Sequence, residues 1–571
     1  MASDPLAMFR ERACILVDGA LANLGTATRI PLEIPPAGMG DFAFPCFTLA
    51  KELKKSPAEI AKTLAGMIPK DQLFRAVEAK GPYVNFHTEP SELGRITIEA
   101  VLDSREEYGN AEPTGQKILL EHTSANPNGP LHVGRARNPI IGDTLARILR
   151  RCGHDVTTEF YVDDMGKQQV TLTWGVENLR MKGEAPKKQD HALVWFYQEA
   201  SRLMAQDQQV LAQIDSMIAT YEKKDPAIAE RVRKNCQKVL DGMTASLRRM
   251  DINFDSFAWE SRYIFDGSVD KVIAHLRTLE CTAEEEGALY LNLEEFGITG
   301  QENKFYLTRG DGSSLYSTRD MAYHLDKLQK YDRAIDVLGE DHRLKAQVVG
   351  IGVKLLGAEK PIEPVFYSFV SLPEGKMSTR RGTVVYLDDL IEESVARARA
   401  EVELRRPELS EDLKRGIAEA VGTGAIRYNI IRVQAEKQMV FKWEDALNFE
   451  GNSAPFIQYS HARASSILRK ATAYKSYDAG LLVHPSETEL IKALARFPSV
   501  LATCGKDMAS HPVALYAYEL ASLFNQFYRD CPVLVAADEN LKNARLALVT
   551  ATKFVLLNAL DTLGIIAPEE L

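Results

Sequence analysis

The sequence predicts an α/β fold built on a parallel β-sheet, with a small α/β unit before it and an all-helical unit after it. The segment KILLEHTS, from Lys117, is a short apolar run typical of a buried strand. It is followed by GRARNPIIGDTLARILRRCG, whose apolar residues share one helical face, and by DVTTEFYVDD, which alternates at strand period. Strand, helix and strand in this order form a βαβ unit, which requires parallel strands and a right-handed crossover. We therefore expect a Rossmann-type parallel sheet at the centre of the chain.

Residues 1–112 are expected to form a separate small α/β domain. The segment KKSPAEIAKTLAGMIP is helical in pattern, and GPYVNFHT alternates apolar and polar residues as a strand does. The stretch YGNAEPTGQ, residues 108–116, carries the glycine, proline and asparagine of a linker. A new domain is therefore expected to begin at about residue 113.

The central domain is expected to span residues 113–405, and the last domain residues 406–571. Residues 168–258 are charged and amphipathic at helical period, which predicts a mainly helical insertion at about 168–300. Strand-like segments return in DRAIDVLGEDH and VFYSFVSLPEGK. From about Pro407 the chain is helical again, with apolar-periodic runs such as NARLALVTATKFVLLNALDTLG.

Composition and charge narrow the classes of protein that fit. The chain has 571 residues, too many for one core, and a formal net charge of −10. Because phosphate contacts favour a basic surface, this charge argues against a general DNA or RNA binder without excluding a local basic face. Seven scattered cysteines without a C-x-x-C pair predict reduced thiols and no structural metal. With no leader pattern and no apolar stretch of bilayer length, we expect a cytoplasmic protein with no membrane partner.

The segment EHTSANPNGPLHVGRARN, residues 121–138, joins the end of a predicted buried strand to the start of a helix. Open α/β sheets bind ligands at such points, and a helix N-terminus offers free N–H groups to phosphate. Gly134 would allow close approach to the backbone, while His132 and Arg135 can donate hydrogen bonds to a triphosphate. The alternative is that the prolines and glycines only shape a loop, with His132 as an ordinary helix cap.

A second basic segment, LPEGKMSTRRG at residues 372–382, follows the predicted strand VFYSFVS. It places Lys376, Ser378 and Arg380 on a loop bounded by glycine and proline, with groups suited to bind oxyanions. The alternative is a solvated basic turn.

Taken together, the two segments resemble the HIGH and KMSKS signatures of class I aminoacyl-tRNA synthetases, here His-Val-Gly-Arg and Lys-Met-Ser-Thr-Arg. The resemblance implies that ATP, with Mg²⁺, activates an amino acid to its adenylate, which is then transferred to the 3′-terminal adenosine of a tRNA. It implies His132 and Lys376 as the catalytic contacts to the transition state. The ATP contacts that it implies are His132, Gly134, Arg135, His342, Lys376, Met377, Ser378 and Arg380. The chain departs from the signatures at Arg135 and Thr379.

Further segments resemble the arginyl-tRNA synthetase family. A guanidinium has five donors and no acceptor, so an arginine pocket needs carboxylates. The Glu…Asn and Tyr-x-x-x-Asp residues of that family match here, which implies Glu121 and Asp320 for the guanidinium and Tyr316 for the pocket wall. Asn126 is implied for the main-chain groups of arginine and Asp341 for its α-amino group. For each acid, an ordinary surface charge is the alternative.

Both ends of the chain also resemble this family. NSAPFIQYSHARASSIL is similar to the opening of its helical anticodon-binding domain, and GPYVNF is similar to its amino-terminal domain, which touches the tRNA elbow. The tRNA contacts that these matches imply are Tyr83, Asn85, Phe456, Tyr459, Arg463 and Tyr528. Packing in a helical core is the alternative for the aromatic residues, above all for Phe456.

The resemblance implies a monomeric arginine-tRNA ligase whose partners are tRNA-Arg, L-arginine and ATP. Three rival hypotheses remain at this stage: a class I synthetase of another specificity, a synthetase-like tRNA-binding protein without efficient activation, and a nucleotide-binding protein with no role in tRNA chemistry. A cysteinyl synthetase should carry a zinc-binding Cys/His set, which the sequence lacks.

Overall fold

The computed structural model describes residues 4–26, 28, 30–36, 38–181, 183–299, 303–371, 385–472 and 476–571. Within these ranges, no helix is both long enough and apolar enough to cross a membrane.

The amino-terminal domain packs helices against a three-stranded antiparallel sheet with strand order β1-β3-β2. Helix α3 begins at a proline and carries a capping box, in which Ser56 and Glu59 satisfy each other's backbone N–H groups. The elements are α1 (Pro5–Asn23), β1 (Phe42–Pro45), α2 (Leu49–Leu53), α3 (Pro57–Met67), β2 (Phe74–Lys80), β3 (Tyr83–Thr88) and α4 (Pro90–Ser104).

The central domain contains the expected parallel sheet. Its five strands lie in the order β11-β10-β4-β5-β6, and every neighbouring pair is parallel. The strands are β4 (Lys117–Glu121), β5 (Asp155–Val162), β6 (Ser256–Trp259), β10 (Arg333–Gly339) and β11 (Ile362–Tyr367), and α5 (Arg137–Arg151) crosses over between β4 and β5. The strand order reverses at β4, because successive strands first extend the sheet on one side and then on the other. That reversal opens a crevice between the carboxyl ends of β4 and β10.

The helical insertion is shorter than expected. Its helices are α6 (Lys167–Asn178), α7 (Gln189–Gln206), α8 (Gln208–Glu222) and α9 (Pro226–Arg249). The expected span of about 168–300 is interrupted, because β6 returns to the central sheet and pairs with β5. A strand of four residues is too short to show a clear period in the sequence. After β6 come α10 (Glu260–Phe265), α11 (Ser268–Leu276) and a small antiparallel sheet of β7 (Thr282–Glu285), β8 (Ala288–Asn292) and β9 (Lys304–Tyr306).

The remaining elements complete the site and the helical end of the chain. Helices α12 (Tyr316–Lys330) and α13 (Arg343–Leu355) flank β10, and the short strands β12 (Val370–Ser371) and β13 (Met439–Val440) pair in parallel. The other helices are α14 (Leu387–Arg405), α15 (Glu411–Ile431), α16 (Trp443–Ala446), α17 (Ala454–Lys470), α18 (Pro485–Asp507), α19 (His511–Asp530) and α20 (Glu539–Thr562). The all-helical carboxyl-terminal region is therefore confirmed.

A buried arginine joins the helical end to the central domain. Arg427 of α15 donates hydrogen bonds to the Leu563 carbonyl at 2.7 Å, to the Met250 carbonyl at 2.7 Å and to the Asp143 carboxylate at 2.5 Å. These acceptors come from three separate parts of the chain, so a single guanidinium satisfies polar groups on both sides of the junction.

We predict that Arg427→Met lowers the free energy of unfolding by about 3 kcal/mol, because it leaves two buried carbonyls without a donor and Asp143 with one cation fewer. Urea-induced unfolding followed by circular dichroism measures the change. The control is Arg415→Met on the same helix, where the arginine pairs with Asp412 at the surface, and we expect a change below about 0.5 kcal/mol. Equal stability of the two variants would contradict the role given to Arg427.

Candidate active site

A cavity of about 920 Å³ lies in the crevice where the strand order reverses. Cavities of this size suit ligands somewhat larger than a single amino acid. The sequence-predicted residues that line it are Glu121, Asn126, Arg135, Tyr316, Asp320, Asp341 and His342. The structure thus brings together all five residues predicted for arginine and two of those predicted for ATP.

The turn that carries His132 is fixed by backbone pairing to the start of α14. His132 and Tyr386 form an isolated antiparallel bridge, in which Val133 N–H donates to the Val385 carbonyl and Leu387 N–H to the Leu131 carbonyl. Burial and the neighbouring Arg135 cation lower the pKa of His132 below its ordinary value. The imidazole is therefore neutral at pH 7 and can donate one hydrogen bond without adding charge.

Gly134 and Arg137 behave differently in this turn. A Cβ atom on Gly134 would meet only the Val370 carbonyl, at an ordinary 3.7 Å, so the described neighbours do not require a glycine there. Arg137, at the start of α5, is buried and donates at 2.7 Å to the carbonyls of Ser368, Lys437 and Gln434. Burial lowers the pKa of Arg137 to about 10, and the acceptors of its hydrogen bonds are neutral carbonyl groups.

Glu121 is the last residue of β4 and accepts a hydrogen bond from a lysine that was not among the residues predicted from the sequence. Lys327 of α12 donates to Glu121 at 2.5 Å and to Asp336 at 2.7 Å. His324 lies 2.7 Å from the other oxygen of Asp336. Burial alone would favour a neutral amine, but the carboxylates outweigh it and raise the pKa of Lys327. Likewise, Lys327 and His324 overcome burial and hold the pKa of Asp336 well below its usual range.

Asp320 also has a resident cation. Lys345 of α13 lies 2.5 Å from the Asp320 carboxylate and 4.5 Å from the centre of the Tyr316 ring. Asp341, by contrast, is exposed, and the one ion pair it forms with a described residue is a distant contact with His342, at 3.8 Å. Asn126 donates to the side-chain oxygen of Gln168 at 3.1 Å.

The spacing of polar residues along α12 could have predicted His324 and Lys327, which the sequence analysis did not name. Tyr316, Asp320, His324 and Lys327 follow one another at intervals of four, four and three, which places them on one face of α12. A polar stripe at that spacing beside a buried strand indicates a site rather than core packing. Glu260 and Tyr161 gave no comparable signal, although both line the cavity.

Several predicted residues lie away from the cavity or outside the described part of the chain. Lys376, Met377, Ser378 and Arg380 fall in 372–384, outside the described residues. Tyr83 packs its ring against Phe47 in the amino-terminal domain, 5.5 Å between centres. Asn85 is buried in β3, so its side chain is not exposed on the surface of the amino-terminal domain. Its predicted contact with tRNA stays a prediction.

The carboxyl-terminal helices carry an aromatic and basic surface. Arg463 stacks over the rings of Tyr459 and Tyr528, with centre distances of 4.6 and 5.1 Å, and both tyrosines are exposed. All three line a cleft of about 790 Å³. Phe456 is half-buried against Tyr518, and its predicted contact with tRNA stays a prediction.

Two groups of side chains have the spacing of metal ligands among the described residues. One is Glu121, His324 and Asp336, and the other is Asp190, His191 and Asp388. In each group a lysine ammonium already contacts two of the carboxylates, Lys327 in the first and Lys188 in the second. The positive charge that these acids require is therefore supplied by the protein.

A parallel sheet whose order reverses at β4, a cavity at that point and a helix start bearing His132 agree with the catalytic domain that the resemblance to class I aminoacyl-tRNA synthetases implies. Comparison with known proteins supports this assignment across the chain. The family model for the class I (R) tRNA synthetase catalytic domain matches residues 97–443. Models for the DALR anticodon binding domain and the arginyl tRNA synthetase N terminal domain match residues 457–571 and 15–88.

Individual relatives give the same result. The arginine–tRNA ligase of Methanocella arvoryzae is 48% identical over 92% of this chain and 92% of the relative. The arginine–tRNA ligase of Methanothermobacter thermautotrophicus is 44% identical over 97% of this chain and 98% of its own. The solved structure of Thermus thermophilus arginyl-tRNA synthetase superposes with a TM-score of 0.82 at 28% identity, covering 98% and 100% of the two chains. The chain therefore belongs to the arginyl-tRNA synthetase family.

We predict that His122, beside Glu121, makes the fold sensitive to acid. Full burial lowers the pKa of His122 to about 4, whereas an unfolded chain titrates near 6.5. The unfolded state therefore binds more protons between these values, and stability is lost as pH falls from 6.5 towards 4, by about 3 kcal/mol.

Urea unfolding of the wild type and of His122→Gln across this pH range measures how steeply the free energy of unfolding of each protein depends on pH. We expect His122→Gln to lose less stability on acidification, whereas His275→Gln, at an exposed histidine on α11, should follow the wild type. Parallel pH profiles for all three proteins would rule out this role for His122.

Proposed function

We propose that this protein attaches L-arginine to tRNA-Arg in two steps. The arginine carboxylate attacks the α-phosphorus of ATP and releases pyrophosphate, and a ribose hydroxyl of the terminal adenosine then takes the arginyl group and releases AMP. The observation that carries the proposal is one cavity that joins acidic groups for a guanidinium to the Arg135 cation just before helix α5. Family membership and the named relatives support the same reaction.

The acidic end of the cavity receives the side chain of arginine. Asp320 and Glu121 supply the carboxylates, and the exposed ring of Tyr316 supplies a flat wall on which a guanidinium can stack. The buried Tyr161 hydroxyl also lies in this wall and has no hydrogen-bond partner among the described residues, so it is available to a ligand. Asn126 and Asp341 serve the main-chain groups of arginine.

MgATP binds as a substrate at the opposite end of the cavity. His132 and Arg135 lie where the chain enters α5, so their donors add to the positive end of that helix. His342 lines the same cavity as Arg135, and Gly134 lets the nucleotide approach the backbone. Lys376, Met377, Ser378 and Arg380 complete the proposed ATP contacts, with Lys376 and His132 stabilising the charge that develops on the phosphates.

The helical carboxyl-terminal domain reads the tRNA. Tyr459, Arg463 and Tyr528 present two aromatic faces and a cation at one cleft, which suits unstacked bases and their phosphates. The amino-terminal domain contributes Tyr83, and the proposed contacts of Asn85 and Phe456 would require their side chains to become more accessible. We propose that the reaction takes place in the cytoplasm, a compartment in which the seven free cysteines would stay reduced, and in a monomer.

We predict that the protein exchanges pyrophosphate into ATP with arginine and with no other proteinogenic amino acid, and that it charges tRNA-Arg. Exchange should be measured with each amino acid, with and without tRNA. Exchange with lysine or cysteine but not arginine would overturn the specificity, and tRNA binding without exchange would favour a non-catalytic tRNA-binding protein.

We also predict that Tyr528→Ala raises the KM for tRNA-Arg by roughly 5- to 150-fold, because stacking one base contributes about 1–3 kcal/mol. The affinity for arginine, measured by calorimetry, should stay unchanged. Tyr306→Ala is the matched control, since Tyr306 is an equally exposed tyrosine on β9, outside the cleft. A tRNA KM that moves equally in both variants would remove Tyr528 from the tRNA surface.

A further inference from the structure

Lys345 occupies the position expected for the guanidinium of the substrate. Its ammonium contacts the Asp320 carboxylate at 2.5 Å and lies 4.5 Å from the centre of the Tyr316 ring. These are the same two residues that are proposed to bind the arginine side chain, and Lys345 lines the same cavity. A positive charge from the protein itself therefore contacts both the acid and the aromatic ring.

The three cations that neutralise the acidic end of the cavity are not equally fixed. Lys327 bridges two carboxylates, and its side chain is only 1% exposed. Arg319 lies 3.3 Å from Glu260, donates twice more to Ser314 and is 6% exposed. Lys345 is 27% exposed, and Asp320 is the one carboxylate it contacts among the described residues. Of these three cations, Lys345 is the one that a ligand can displace at the lowest cost.

We propose that Lys345 is a resident substitute for the guanidinium, and that arginine binds by displacing its ammonium from Asp320 and Tyr316. This inference rests on the proposed function, because it assumes that arginine enters this cavity. The displaced ammonium stays on a flexible stem of four methylene groups. Asp341, four residues earlier, lines the same cavity and is 53% exposed, so it offers the ammonium a second carboxylate.

Displacing Lys345 costs arginine and lysine the same, so the two amino acids differ in what they gain at Asp320 and Tyr316. A free lysine would replace one ammonium with another at Asp320 and gain little in exchange. Arginine brings a planar group with five donors, which can bind a carboxylate through two parallel hydrogen bonds and stack on the Tyr316 ring. Lys345 thereby sets a threshold of affinity for both amino acids, which a guanidinium exceeds by the larger margin.

Two substitutions of Lys345 should have opposite effects on arginine affinity. Lys345→Met removes the competitor, so we expect the Kd of arginine to fall by about tenfold, which is 1.4 kcal/mol, and lysine binding to become measurable. Lys345→Arg installs a better competitor, so we expect the Kd of arginine to rise. Calorimetry on the full-length protein at pH 8, without ATP or tRNA, gives both constants.

Lys330→Met is the matched control, because Lys330 makes a comparable 2.7 Å ion pair with Asp326 on α12, outside the cavity. It should leave both affinities unchanged. Weaker arginine binding in Lys345→Met, or no change, would overturn the proposal, and so would tighter binding in Lys345→Arg. If Lys345→Met fails to fold, the sign of the change in Lys345→Arg decides alone. A wild-type protein that binds no arginine would instead refute the proposed function.

Discussion

The ammonium of Lys327, held between Glu121 and Asp336, is the interaction on which the site depends. Glu121 ends β4, Asp336 lies in β10, and Lys327 comes from the helix between β9 and β10. One buried cation thus joins the two strands that border the crevice to the helix that carries Tyr316 and Asp320. Removing it would leave the buried Glu121 carboxylate without this cation and Asp336 dependent on His324, and an uncompensated buried charge is among the costliest defects in a protein interior. The acidic pocket can exist because this charge is already balanced.

Much of the fold follows from local patterns in the sequence. The apolar run before Glu121, the one-sided helix after it and the alternation in DVTTEFYVDD were sufficient for the βαβ unit, because each pattern extends over several residues. Strand β6 escaped prediction because four residues carry no clear period. Its place in the sheet is decided by pairing with β5, nearly a hundred residues earlier in the chain.

The candidate site was predictable in part, for a related reason. Resemblance to family motifs brought out Glu121, Tyr316 and Asp320, which the structure brings into one cavity. The cations beside them were not predictable, because Lys327 and Glu121 are separated by 206 positions and neither residue type specifies a partner. In the sequence, such a network is visible only as polar residues spaced three or four apart on one helix face. This spacing predicts a site only when the helix is known to face the sheet.

Two arginines that bind carbonyl groups limit how modular this enzyme can be. Arg427 of helix α15 donates a hydrogen bond to the Met250 carbonyl of the central domain. Arg137 of α5 donates to the carbonyls of Gln434 and Lys437. A fragment that ends at residue 405 would leave the Met250 carbonyl without its hydrogen-bond donor and Arg137 without most of its acceptors. The natural unit of exchange between related enzymes therefore includes the segment through about residue 443, where the catalytic family match also ends. Chimaeras joined there would inherit both arginines with their acceptors in the same piece, except for the contact of Arg427 with Leu563, which the incoming helices would have to reproduce.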